Sequence, residues 1–138
     1  MSELRYRYLK TSVDQGALIL TLSPTQLTGD GMAQTLTEEM QAAVAVAGAD
    51  KVVLDLEHVQ FVTSANIRPF LALRKNLLEK GGEMVLCNLS EPTLEIFQAV
   101  RLVRSSGSGQ VLMESQPDVA SAVAFLLRAK EPPPAAGA

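Results

Sequence analysis

Three side chains in the middle of the chain, Asp55, His58 and Ser64, are of the types that make a hydrolytic triad. Such a nucleophile needs a sharp Gly-x-Ser-x-Gly elbow to expose it, and Ser64 stands instead in "VTSAN". His58 is the single histidine and reads as a solvated loop imidazole rather than a general base. One His and one Cys cannot supply the clustered ligands of a zinc site. Cys87, within the apolar run "MVLCNL", reads as a small buried hydrophobe, because no local cation favours its thiolate. The glycine-rich "SSGSGQ" has no lysine and leads into a strand rather than a helix, so it lacks the context of a phosphate loop. Glu38 and Glu39 belong to a polar helix face. The pattern points away from an enzyme and from any metal or cofactor. It leaves one conspicuous hydroxyl, Ser64, at a junction where it could be modified.

The elements that must position these groups follow from hydrophobic periodicity. Residues Arg5 to Thr11 alternate loosely as a first strand, and Ala17 to Pro24 form a stronger one, joined through the turn signal "DQG". "TQLTGDG" reads as loop, with Asp30 capping a helix from about Gly31 to Ala47. "KVVLDLE" is a strand buried on both faces, and a second helix runs on to Lys80, closed by "KGG". "EMVLCNL" is another buried strand, and "SEPTLEIFQAVRL" a short helix with Ser90 as its cap. "RSSGSG" connects to a strand "QVLMES", and Pro117 opens the last helix, carrying Val119, Val123, Leu126 and Leu127. The order β-β-α-β-α-β-α-β-α implies an α/β domain of about four helices on a mixed sheet, mostly parallel beyond an N-terminal hairpin. One domain over residues 1–130 and a disordered Pro/Ala-rich tail over 131–138 are expected. Functional loops of such sheets gather at the carboxyl ends of the strands. Three of those ends are polar here: Asp55, the stretch from Thr63 to Asn66, and Asn88 with Ser90.

Bulk properties narrow the partners. At 138 residues the chain can bury a sizeable core, and 47% hydrophobic content excludes a disordered protein. A net charge of -3 gives no electrostatic attraction for nucleic acid or anionic lipid. No apolar run approaches the roughly 20 residues of a membrane span, and no secretory h-region follows the first charges. A cytoplasmic protein is expected.

Pro69 bears on what Ser64 does. A serine between strand and helix commonly caps the helix, which stabilises it by about 1 kcal/mol. Were Ser64 the cap, Pro69 would fall too deep in the helix and remove a hydrogen bond. Either the regular helix therefore begins with Asn66 as its cap, or its first turn is distorted. In both cases Ser64 lies ahead of the helix, released from the capping role. A phosphate there would meet the positive end of the helix dipole and, one turn on, Arg68.

The stretch from Lys51 to Leu102 resembles the centre of a STAS domain (sulphate transporter and anti-sigma-factor antagonist). The spacing from Asp55 to Ser64, then to Gly81-Gly82, Asn88 and Leu102, agrees with that family's pattern. The resemblance implies a binding module that captures an anti-sigma factor acting also as a serine kinase, with other STAS proteins as further partners. It implies that Ser64 is the phosphoacceptor, with Thr63 as fallback, and that Thr63, Ala65, Asn66 and Arg68 meet the partner. Asp55 and Asn88 would form a ligand edge. Where the family has "DSSG" this chain has "TSAN": Thr63 replaces the Asp, Ala65 the second Ser and Asn66 the Gly. That departure also suits an unphosphorylated scaffold or subunit of a stress-signalling or lipid-transport complex.

Overall fold

The computed structural model describes residues 6–99 and 114–128. Strands β1 (Leu9–Asp14), β2 (Ala17–Leu22), β4 (Lys51–Asp55), β6 (Glu83–Cys87) and β7 (Glu114–Gln116) form one sheet in the order β1-β2-β4-β6-β7. β1 and β2 are antiparallel, and β2, β4, β6 and β7 run parallel. Two further strands, β3 (Gln26–Leu27) and β5 (Phe61–Val62), pair in parallel as a small separate ribbon. The helices are α1 (Asp30–Ala47), α2 (Arg68–Glu79), α3 (Glu91–Ala99) and α4 (Val119–Leu127). This is the mixed, mostly parallel α/β arrangement expected from the order of the elements.

Alternation along the strands sorts the core into two layers. Leu18, Leu20, Leu22, Val52, Leu54, Met84 and Leu86 face α1, α2 and α3, where Leu36, Met40, Phe70, Leu73, Leu77 and Phe97 close the larger cluster. Phe70 and Phe97 meet edge to face with centroids 5.6 Å apart, the preferred geometry of such pairs. Ala17, Ile19, Val53, Val85 and Cys87 point the other way, onto Ala122, Val123 and Leu126 of α4. β4 and β6 are apolar on both faces because both are covered. Close approach sets one glycine: a Cβ on Gly82 would lie 2.5 Å from the Asp50 carbonyl oxygen.

The structure moves several sequence expectations. The first strand lies at Leu9–Asp14 rather than Arg5–Thr11, because only the later stretch pairs with β2, through a two-residue turn at Gln15 (φ 54°) and Gly16 (φ 86°). "TQLTGDG" is not all loop, since Gln26–Leu27 pairs with β5. Asp30 does not cap α1; it is the first helical residue, and Gly29 stands at the cap without a side-chain bond. The last strand falls at Glu114–Gln116; "RSSGSG", the first four residues of "QVLMES", and the tail lie outside the described residues.

Candidate functional site at the β5–α2 turn

Phe61–Val62 ends in a single 3-10 turn, Ser64–Ile67, and the α-helix begins only at Arg68. Pro69 explains the break. It falls in the first turn of α2, where its missing N–H is not required, whereas an α-helix started at Ser64 would place it too deep. The distorted first turn is therefore the outcome, and Asn66 as helix cap is corrected. Asn66 is fully buried, and its amide donates to the Gly29 carbonyl oxygen (3.1 Å) and to Thr63 Oγ1 (3.2 Å). Thr63 Oγ1 in turn donates to the Leu27 carbonyl oxygen (3.3 Å), which also receives the Thr63 N–H (2.9 Å). The Gln60 N–H donates to Thr25 O (2.6 Å), so the segment is clamped to the β3 ribbon before the turn begins.

Ser64 stands outside this clamp. It is exposed, the first residue of the 3-10 turn, and its hydroxyl makes no hydrogen bond to any described residue. Arg68 is exposed one turn on, and Phe61 and Leu71 keep 45% and 37% of their surface in solvent. The turn and its flanks thus present an exposed hydroxyl, a cation and apolar surface close together in sequence. Ala65 is half-buried between Ser64 and Asn66.

The other polar strand ends meet at a second cluster. Asp55 is 4% exposed; its Oδ1 accepts from Asn88 Nδ2 (2.9 Å) and the Glu57 N–H (3.1 Å), and its Oδ2 from Thr21 Oγ1 (3.5 Å). Asn88 adopts φ 58°, a conformation asparagine tolerates better than most residues, and so turns its amide toward Asp55. Asp55 and Asn88 are brought together, but as a mutually satisfied pair. Thr21, the one polar residue inside "ALILTL", completes the set. A lone hydroxyl in a buried strand was the available sequence signal for it. His58 pairs instead with Glu57, its Nε2 3.6 Å from a carboxylate oxygen, both side chains about half exposed. No hydrogen bond among the described residues joins Asp55, His58 and Ser64. No group of three or more His, Cys, Asp or Glu side chains among those residues could hold a metal ion.

Comparison with known proteins gives this geometry a setting. The STAS domain profile matches residues 8–122, most of the chain. The chain belongs to the STAS domain family. BtrV of Bordetella bronchiseptica, named as a candidate anti-sigma factor antagonist, is 36% identical over 64 residues, 44% of this chain and 55% of that protein. The match therefore spans about half the length of that relative. The structure of a candidate anti-sigma factor antagonist from Thermotoga maritima superposes with a TM-score of 0.72 at 15% identity, covering 87% of this chain and 95% of the other. Unphosphorylated SpoIIAA superposes at 0.60 with 13% identity over 87% and 97% of the two chains; the phosphorylated Bacillus protein superposes at 0.53 with 16% over 67% and 82%. The three superposed structures share this chain's overall fold.

Within the STAS fold the two remaining nucleophilic candidates of this region are committed. Ser90 Oγ donates to Val59 O (3.0 Å) and lies 3.0 Å from Thr93 Oγ1, and it accepts from the Thr93 N–H (3.4 Å), so it caps α3 as expected. Cys87 is completely buried; burial pushes its thiol up to about 12, helped by the neighbouring Asp55 carboxylate. Both chemistries are closed off, and no described helix is long and apolar enough to cross a membrane.

Proposed function

We propose that this chain is an anti-sigma-factor antagonist-like binding module that captures a serine-kinase anti-sigma factor and is released when Ser64 is phosphorylated. The observation that carries it is the contrast within one turn: Thr63 and Asn66 are hydrogen-bonded into the fold, while the Ser64 hydroxyl is exposed and uncommitted. Thr63, the fallback acceptor, is half-buried and already donates to Leu27 O. A phosphate on Ser64 would add nearly two negative charges beside the first turn of α2 and within reach of the Arg68 guanidinium. The fold would be kept, and the surface offered to a partner changed. That SpoIIAA is known in both unphosphorylated and phosphorylated forms supports the same reading.

The test is retrieval of partners from the source cells by wild type, Ser64→Ala and Ser64→Asp, with phosphopeptide mapping of the native protein. Phosphate on Ser64, and a kinase-type partner retained by Ala but lost by Asp, is the expected result. Absence of phosphate together with equal retention by all three forms defeats the proposal. Replacement of the family's Asp by Thr63 favours a second reading, an unphosphorylated scaffold or regulatory subunit, and equal retention of a large assembly would establish it.

A further inference from the structure

β1 is an edge strand of the five-stranded sheet, and no described residue pairs with its outer side. Five of its six residues, Lys10 to Asp14, are exposed, including Val13 with 66% of its surface in solvent. An exposed strand edge is a template for another strand unless charge, proline or a bulge blocks it. β1 has no proline, pairs with β2 without interruption from Leu9 to Asp14, and carries two charges of opposite sign, Lys10 and Asp14.

The hairpin fixes which backbone groups are spoken for. Asp14 and Ala17 flank a two-residue turn and form a hydrogen-bonded pair, so alternate residues Asp14, Ser12 and Lys10 turn their N–H and C=O toward β2. The Tyr8 carbonyl oxygen, in the same parity, accepts from the Ser23 N–H at 2.9 Å, as that phase requires. Thr11 and Val13 therefore direct their backbone groups outward.

We infer that β1 is the contact between two copies of this chain, paired antiparallel about a two-fold axis at Ser12. In that register Thr11 faces Val13 of the second copy and Val13 faces its Thr11, so the outward N–H and C=O groups of both close a ladder of four hydrogen bonds. Lys10 falls opposite Asp14 of the second copy, and Asp14 opposite its Lys10, giving two opposite-charge pairs. Thr11 and Val13 form two β-branched cross-strand pairs on the opposite face. Charge complementarity under the two-fold is what selects a second copy as the occupant. A shift of register by two residues at the same spacing would lose both charge pairs. The two sheets would join into one of ten strands. One strand's edge gives a small interface, below the roughly 1,200 Å² of stable complexes, so the dimer is a weak and concentration-dependent one. The contact is independent of any event at Ser64.

Sedimentation velocity of the full chain from about 10 μM to about 1 mM tests it, over the range where a weak interface populates. Wild type is expected to pass from monomer to dimer. Lys10→Asp or Asp14→Lys turns both charge pairs into repulsions and should weaken dimerisation by about tenfold. The double swap Lys10→Asp with Asp14→Lys recreates the pairs in mirror image and should restore it. Thr11→Pro removes an outward N–H without touching the β2 ladder and should leave a monomer with an unchanged far-ultraviolet spectrum. A wild type that stays monomeric throughout overturns the inference. So do single swaps that dimerise like wild type, a double swap that fails to restore the dimer, or a Thr11→Pro variant that still dimerises.

Discussion

Two serines stand at equivalent places in this fold, each between the end of a strand and the start of a helix, and they are treated in opposite ways. Ser90 is held by Val59 O, Thr93 Oγ1 and the Thr93 N–H and serves as the cap of α3. Ser64 precedes α2 with no hydrogen bond from its hydroxyl to any described residue, while its neighbours Thr63 and Asn66 do the holding. A junction serine is thus structural or available according to where the helix truly begins. Pro69 delays that point by four residues at the second junction, whereas Pro92 sits within the first turn of α3 immediately after its cap.

The contrast between sealed and available side chains is sharpest for Cys87. With its thiol raised from 9.0 to about 12, the native thiolate fraction near pH 8 falls about a thousandfold, and alkylation should be slowed to match until the protein is unfolded. The folded pKa is the higher one, so the related stability is complete below about pH 9 and is lost as pH rises toward 12. Prompt labelling of native protein by a thiol reagent would contradict the burial. Next in size, Ser64→Asp should weaken capture of the kinase-type partner about tenfold or more while leaving the melting temperature unchanged, read by calorimetric titration and thermal scans. Ser90→Ala should do the reverse, costing about 1–2 kcal/mol in denaturant titrations through loss of the cap, with partner binding intact. Thr63→Val and Asn66→Gly share a hydrogen bond, and their double-mutant cycle should show coupling of about 0.5–1.5 kcal/mol. Additive effects would mean that the two departures from the family's motif are independent. Smallest of all, Ser64→Ala should change stability by no more than about 0.5 kcal/mol. A larger loss would make Ser64 a cap like Ser90 and erase the contrast.

Much of this was legible in the chain. The continuous apolar runs "KVVLD" and "EMVLC" became the central strands β4 and β6, since burial on two faces leaves an unmistakable composition. The cap at Ser90 followed from local chemistry alone. β1 starts four residues later and ends three later than expected because an exposed edge strand carries no apolar stripe, and its position is set by pairing with β2. β3 and β5 are two residues each, too short for any periodicity to register. At the candidate site Pro69 announced a disturbed turn, but not where Asn66 would spend its amide. Gly29, its main partner, is 37 residues away in sequence, and only the packing of α1 beside the turn brings the two together.

The clamp below Ser64 bears on how that hydroxyl could be recognised. Gln60, Thr63 and Asn66 tie the segment to Thr25, Leu27 and Gly29, so the serine is displayed on a pedestal built from two distant stretches of chain. An enzyme acting there reads a three-dimensional address rather than a string of letters. A synthetic peptide of residues 61–70 would carry the same hydroxyl without that address. It should be a far poorer substrate than the folded domain.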